Sequence, residues 1–136
     1  VAIDMSRSPI PKGEPRKRTK ARRQRAEKTR KVWVRARVMA RDHDRCRLSW
    51  YAETQALFGA CSGELQWAHW GPYRRSKTRG QAPERRHCQQ GGLALCDGHH
   101  DDYDEGRLTI DALTEQECDG RLRFERDGQV WEEPAA

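Results

Sequence analysis

The stretch HCQQGGLALCDGHHDDYDEG, from His87 to Gly106, decides how the chain is read. After the Gly91-Gly92 turn, Leu93, Ala94 and Leu95 make a short apolar run that leads into Cys96. This run is expected to be a strand, followed by a helix over 97–105. Cys96 and His99 have the spacing of half a zinc site. A thiolate and an imidazole so placed reach one tetrahedral ion if the chain turns tightly between them. Asp97 and Gly98 supply that turn, and Asp97 can also cap the helix. On the helix, His100 and Asp104 are i and i+4 and share a face. There an imidazole and a carboxylate can hold a second, hydrated divalent ion. Two readings stand: a structural metal beside a catalytic one, or a metal-bound turn with a polar helix surface.

Composition narrows the class. A chain of 136 residues is one domain plus tails. Only 35% of it is hydrophobic and its mean hydropathy is −1.13, too little apolar material for a large core. A metal staple is the usual remedy. The five cysteines are an odd number. The sequence shows no hydrophobic leader and no run of membrane-spanning length. The expectation is a cytoplasmic protein, without a membrane partner, whose cysteines bind metal rather than form disulfides.

Net charge is +6 and the pI about 9.3, which favours a polyanionic partner. The charge is concentrated between Lys12 and Lys31, where 11 residues are Lys or Arg against two Glu. The rest of the chain is net negative. Residues 1–25 are therefore expected to be a disordered basic arm, with Lys17, Arg18, Arg22 and Arg23 as candidate phosphate contacts. A solubilising tail is the competing reading. Ala26 to Asp42 reads as a helix, because Val32, Trp33, Ala36, Met39 and Ala40 recur at helical spacing. The arm can also become helical and run into it. Trp33 is expected as a core anchor.

Cys46 and Cys61 bracket a short helical or looped excursion. Leu65, Trp67 and His69 then alternate with Gln66, Ala68 and Trp70, as in a strand that delivers His69 to its end. Residues 71–90 form a long polar loop. In it Arg74, Arg75, Lys77, Arg79, Arg85 and Arg86 are candidates to line a nucleic-acid groove, against a mobile surface loop. Further on, a strand over 107–110 and a capping box at Thr114 and Glu117 are expected. A hairpin around Asp127-Gly128 follows, with a frayed tail at 132–136.

Cys46, Cys61, the strand QWAH ending at His69, the run GGLALC and the helix start CDGHHDDYDEG together resemble the HNH endonuclease family over about residues 46–110. They are most similar to its small zinc-stapled phage and bacterial members. The resemblance implies an α+β fold with a ββα-metal (His-Me finger) core and a zinc staple. The N-terminal helix and C-terminal β-hairpin would complete a nuclease domain over 26–131. It implies metal-dependent hydrolysis of phosphodiester bonds in DNA. His69 would be the general base, and a divalent ion (Mg, Mn or another) would sit on His100 and Asp104. The structural zinc would be held by Cys46, Cys61, Cys96 and His99. Cys88 is a rival to Cys46, and Cys118 is a spare thiol.

Two positions depart from the family pattern. Ala68 stands where an Asp or His usually contributes to the metal, and Gly91 stands where an Asn is usual. His87 lies just upstream. It is a candidate for the missing contact to the catalytic metal or for orienting His69. RNA suits an arginine-rich arm as well as DNA does. The alternative function is a catalytically inactive, zinc-finger-like module that only binds nucleic acid.

Overall fold

The basic segment does not remain an arm. A computed structural model describes residues 16–135 of the protein, with side chains from Thr19 onward. In it the 26-residue helix α1 runs from Arg16 to Arg41, starting ten residues before the expected Ala26. Arg, Lys, Gln, Glu and Ala are all good helix formers, and neither Gly nor Pro interrupts them. The part of the expected arm before residue 16 lies outside the described residues.

The face that α1 buries is not the one its apolar spacing indicates. Val34, Val38 and Met39 are buried, whereas Val32 and Trp33 are 66% and 54% exposed. Trp33 is thus no core anchor; the Arg37 guanidinium lies over its ring at 3.9 Å. The inward stripe is completed by polar groups. Arg30 donates to the His87 carbonyl at 2.8 Å. Arg41 donates to the carbonyls of Gln89 (2.8 Å) and Gly92 (2.7 Å). A hydrophobicity pattern does not register a face made this way.

Strands β1 (Leu65–His69) and β2 (Gly92–Cys96) form an antiparallel ribbon, with Leu65 opposite Cys96 and His69 opposite Gly92. The end of α1 closes the other edge of β2. There the Ala94 N–H donates to the buried Asp42 carboxylate at 2.8 Å, so that edge is not left open. Helix α4 (Asp97–Asp104) follows β2 directly. Its cap is Cys96, whose sulfur accepts from the His99 N–H at 3.4 Å. Asp97 does something else: it accepts from the Glu64 N–H at 2.8 Å and from the Gln66 side chain, tying the helix start to β1. Gly63 permits this approach. Its φ is +78°, and a Cβ there would lie 2.4 Å from the Asp97 carboxylate.

The excursion between Cys46 and Cys61 contains α2 (Ala52–Phe58), which supplies the buried Phe58. A second sheet holds β3 (Thr109–Ala112), β4 (Leu122–Arg126) and β5 (Gln129–Glu132), antiparallel and in that order. Asp127 and Gly128 turn β4 into β5, both at positive φ, as the hairpin reading expects. The core spans both sheets, through Leu48, Phe58, Leu93, Leu95, Leu108, Leu122 and Phe124. The mixed α+β class follows from these elements. No helix among the described residues is long and apolar enough to cross a membrane.

Two expectations fail in this half, and one open alternative, the mobile loop, is rejected. Glu117 forms no capping box with Thr114. Its φ is +56°, and its carboxylate accepts from the Tyr73 hydroxyl at 2.6 Å and from Gln90 at 3.1 Å. The 71–90 segment is docked rather than loose. It contains α3 (Pro83–Arg86), and Arg86 clamps the fully buried Thr78 through its hydroxyl (3.0 Å) and carbonyl (3.2 Å). The chain end is not frayed at Glu133, which is 3% exposed.

Glu133 is buried because Arg47 requires it. All five guanidinium N–H groups are used: on Glu133 (3.0 and 2.7 Å), Asp42 (3.3 Å) and the carbonyls of Cys118 and Gly120 (2.7 Å each). Removing one partner of such a cluster leaves the others charged and buried. Arg47→Leu is expected to destabilise the metal-loaded protein by about 3–5 kcal/mol. Urea unfolding measures this, and a loss below about 1 kcal/mol would show that the cluster is solvated instead.

Candidate functional site

Four of the expected metal ligands meet at one point. Cys46 arrives from the turn after α1, Cys61 from the turn before β1, Cys96 from the end of β2, and His99 from the first turn of α4. All their ligand atoms lie within 4.8 Å of one another. The His99 Nδ1 is 3.5 Å from the Cys46 sulfur, 3.7 Å from that of Cys61 and 3.1 Å from that of Cys96. A tetrahedral ion with thiolate bonds of about 2.3 Å and an imidazole bond of about 2.0 Å has S–N edges of roughly 3.5 Å. The cluster therefore has the dimensions to hold a metal ion.

The surroundings of His99 also fit. Its Nε2 lies 3.1 Å from the Phe58 carbonyl and 3.0 Å from the Gly59 carbonyl. Carbonyls only accept, so the proton sits on Nε2 and the Nδ1 lone pair faces the sulfurs. Burial pushes the Cys46 and Cys61 thiols up, an effect that a bound cation reverses. No cysteine is in a disulfide. Cys88 and Cys118 stand apart from the cluster, so Cys88 does not replace Cys46.

His69 occupies a different place. It lines a cleft of about 540 Å³ together with Trp67, His87, Glu27, Lys31, Arg75 and Arg86. The Trp67 ring stacks against it, with centroids 4.6 Å apart. Its Nε2 is 3.1 Å from the His87 Nδ1, and the His87 Nε2 is 3.0 Å from a Glu27 carboxylate oxygen. Both nitrogens of His87 are thus engaged, and the ring is only 2% exposed. Of its two expected roles, the contact with His69 is the one the geometry shows. Burial, then the neighbouring His87, Arg86, Lys31 and His100, push the His69 imidazole down to about 4. It is neutral at physiological pH.

His100 and Asp104 meet each other as expected, with the His100 Nε2 3.3 Å from the Asp104 carboxylate. The His100 Nδ1 is 3.3 Å from the side-chain amide oxygen (Oε1) of Gln66. The pair is not part of the lining of the His69 cleft. His100 is nonetheless near enough to act electrostatically on His69. Ala68, beside them on β1, is buried and offers no ligand. At Gly91 a side chain is excluded, since a Cβ there would lie 2.4 Å from the Tyr73 ring.

The expected nucleic-acid contacts divide into two groups. Arg74 is occupied: its guanidinium lies 3.8 Å over the Tyr103 ring and donates to the Tyr103 carbonyl. Arg86 is held by Thr78 and sits 3.6 Å from Glu27. Arg75, Lys77, Arg79 and Arg85 are exposed, as are Arg22 and Arg23 on α1. The side chains of Lys17 and Arg18 lie outside the described residues. Sequence reading did not single out Arg25, Lys28 and Lys31 within the basic segment, nor Arg35 and Arg37 beyond it, all of them exposed on α1. It also missed Glu27. The helical period around Arg22 was the available signal for the former; nothing local marks the latter. Comparison with family models, curated proteins and solved structures found no match to this chain.

Proposed function

We propose that the protein is a metal-dependent endonuclease of the HNH type that hydrolyses phosphodiester bonds in DNA. The observation that carries this reading is a half-buried histidine, its imidazole pushed towards the neutral form, in a cleft where the cations Lys31, Arg75 and Arg86 outnumber the one carboxylate, Glu27. Such a cleft attracts a phosphodiester anion, and a neutral imidazole in it can take a proton. In the proposed step His69 accepts a proton from water. The water oxygen attacks phosphorus, and the bond from phosphorus to one ester oxygen breaks. The negative phosphate that enters offsets the charges of Lys31 and Arg86, so it raises the basicity of His69 as it binds.

The Cys46, Cys61, Cys96 and His99 cluster is assigned to zinc, since three thiolates and one imidazole in a closed tetrahedron are a structural zinc set. His100 and Asp104 would hold the second ion. Two donors 3.3 Å apart suit a hard cation, such as Mg or Mn, that keeps several waters. When bound, that ion stabilises charge on the phosphate and the leaving oxygen.

The outer side of α1 is proposed to grip the nucleic-acid backbone. Replacing Arg25, Lys28 and Arg35 together by alanine should flatten the slope of log affinity against log salt, by roughly 0.9 per lost phosphate contact. An unchanged slope in a DNA titration would remove α1 from the interface. RNA, which suits the same charges, is compared in the same titration. A second reading has two observations in its favour: Ala68 supplies no ligand, and His100 and Asp104 do not line the cleft of His69. It is a zinc-stapled module that binds nucleic acid without cutting it. Cleavage assays with wild-type protein and several divalent metals decide between the two.

A further inference from the structure

We propose that Glu27 on α1 and His87 on the 71–90 segment are positioning residues that hold His69 in the Nε2–H tautomer, leaving its Nδ1 lone pair as the base. The consequence for rate rests on the nuclease reading; the tautomer does not.

The geometry is a chain of two hydrogen bonds. A Glu27 carboxylate oxygen lies 3.0 Å from the His87 Nε2, and the His87 Nδ1 lies 3.1 Å from the His69 Nε2. An ionised carboxylate only accepts, so the His87 proton is on Nε2. In a neutral imidazole the other nitrogen is then an acceptor. The His87 Nδ1 must take a proton from His69, which places that proton on the His69 Nε2. The lone pair of neutral His69 is left on Nδ1. The stacked Trp67 ring fixes the plane in which this happens.

The charged groups around the chain keep the order of donors. Lys31 on α1 (3.9 Å) and Arg86 on α3 (3.6 Å) flank Glu27 and favour its ionised form. Arg75 shares the cleft, and His100 on α4 also acts electrostatically on His69. A protonated His87 would donate from both nitrogens and reverse the tautomer of His69. Burial of His87 opposes that cation and outweighs the favourable pull of Glu27. The inference makes α1 part of the active site: the same helix that carries the exposed basic residues also sets the orientation of the base.

Glu27→Ala and Glu27→Gln test this in the whole 136-residue, zinc-loaded chain. Glu27 is partly exposed on a helix, and alanine is the best helix former, so neither variant threatens the fold. Long-range proton–nitrogen NMR reads the His69 ring without DNA or a second metal. Wild type is expected to show Nε2 protonated and Nδ1 bare. Glu27→Ala should show both nitrogens averaged between the two states. Glu27→Gln should keep the wild-type pattern, because its amide oxygen accepts the same proton. In cleavage assays Glu27→Ala should lose roughly 10–100-fold in kcat with little change in KM, and Glu27→Gln should recover most of it.

An unchanged His69 ring in Glu27→Ala overturns the proposal, whatever happens to cleavage. A rate loss with an unchanged ring would give Glu27 a merely structural role and overturns it equally. A shifted tautomer in a protein that cuts nothing supports the positioning role while removing the nuclease reading.

Discussion

Cys96→Ser is expected to release the bound metal and to abolish the cooperative thermal transition. Cys96 is 4% exposed and sits where β2 becomes α4, so its sulfur joins three separate segments through one ion. Serine preserves the size and can still accept the His99 N–H, so helix capping survives and the change isolates the metal. Structural zinc contributes on the order of 10 kcal/mol of apparent binding free energy, which in a small domain is folding free energy. Metal content and melting temperature measure the effect together. A Cys96→Ser protein that keeps one zinc per chain and melts as wild type would remove Cys96 from the ligand set. A chelator should mimic the substitution in wild type.

His69→Ala is expected to lower cleavage on the order of 10²–10⁴-fold while leaving zinc content and DNA affinity near wild type. The reason is positional. His69 lies outside the Cys46, Cys61, Cys96 and His99 cluster, and the cationic walls of its cleft are other residues. Asp104→Ala should also lose activity, but through the second ion, so added divalent metal should restore part of it. His69→Ala should not respond in that way. The pH profile gives an independent check. With the imidazole pushed down to about 4, the base is neutral across the usual range. In kcat/KM, which reports the free protein, activity should be lost only as pH falls towards that value, well below the roughly 6.5 of an ordinary histidine. In kcat the limb should lie higher, because bound phosphate raises the basicity of His69. Zinc content, followed at each pH, separates this limb from loss of the staple.

What could be read from sequence was local. The Cys96–His99 spacing, the apolar run before it, the alternation around Trp67 and the Asp127-Gly128 turn each carry their signal within a few residues. Cys46 and Cys61 are 15 apart, wide for a zinc pair, and sequence could say only that they would serve if the fold brought them together. The illegible parts are polar pairs between distant segments. Glu27 meets His87 across 60 residues, and Arg47 meets Glu133 across 86. Neither pair follows a helical or strand period. The same blindness misplaced Trp33: α1 turns inward a face built from Arg30, Val34, Val38 and Arg41, in which two positions are cationic. Polar residues that bury by hydrogen bonding look like surface in any apolar pattern.

Whether this cleft cuts nucleic acid is decided by a plasmid-nicking assay. Zinc-loaded wild-type protein and His69→Ala are incubated with supercoiled DNA and with Mg, Mn, Ni or additional Zn. Wild type should convert supercoiled DNA to nicked or linear forms with at least one of these ions, and His69→Ala, with the same zinc content and affinity, should not. Equal cleavage by both proteins would take the role of base away from His69, and binding without cleavage by wild type under every metal would leave a binding module.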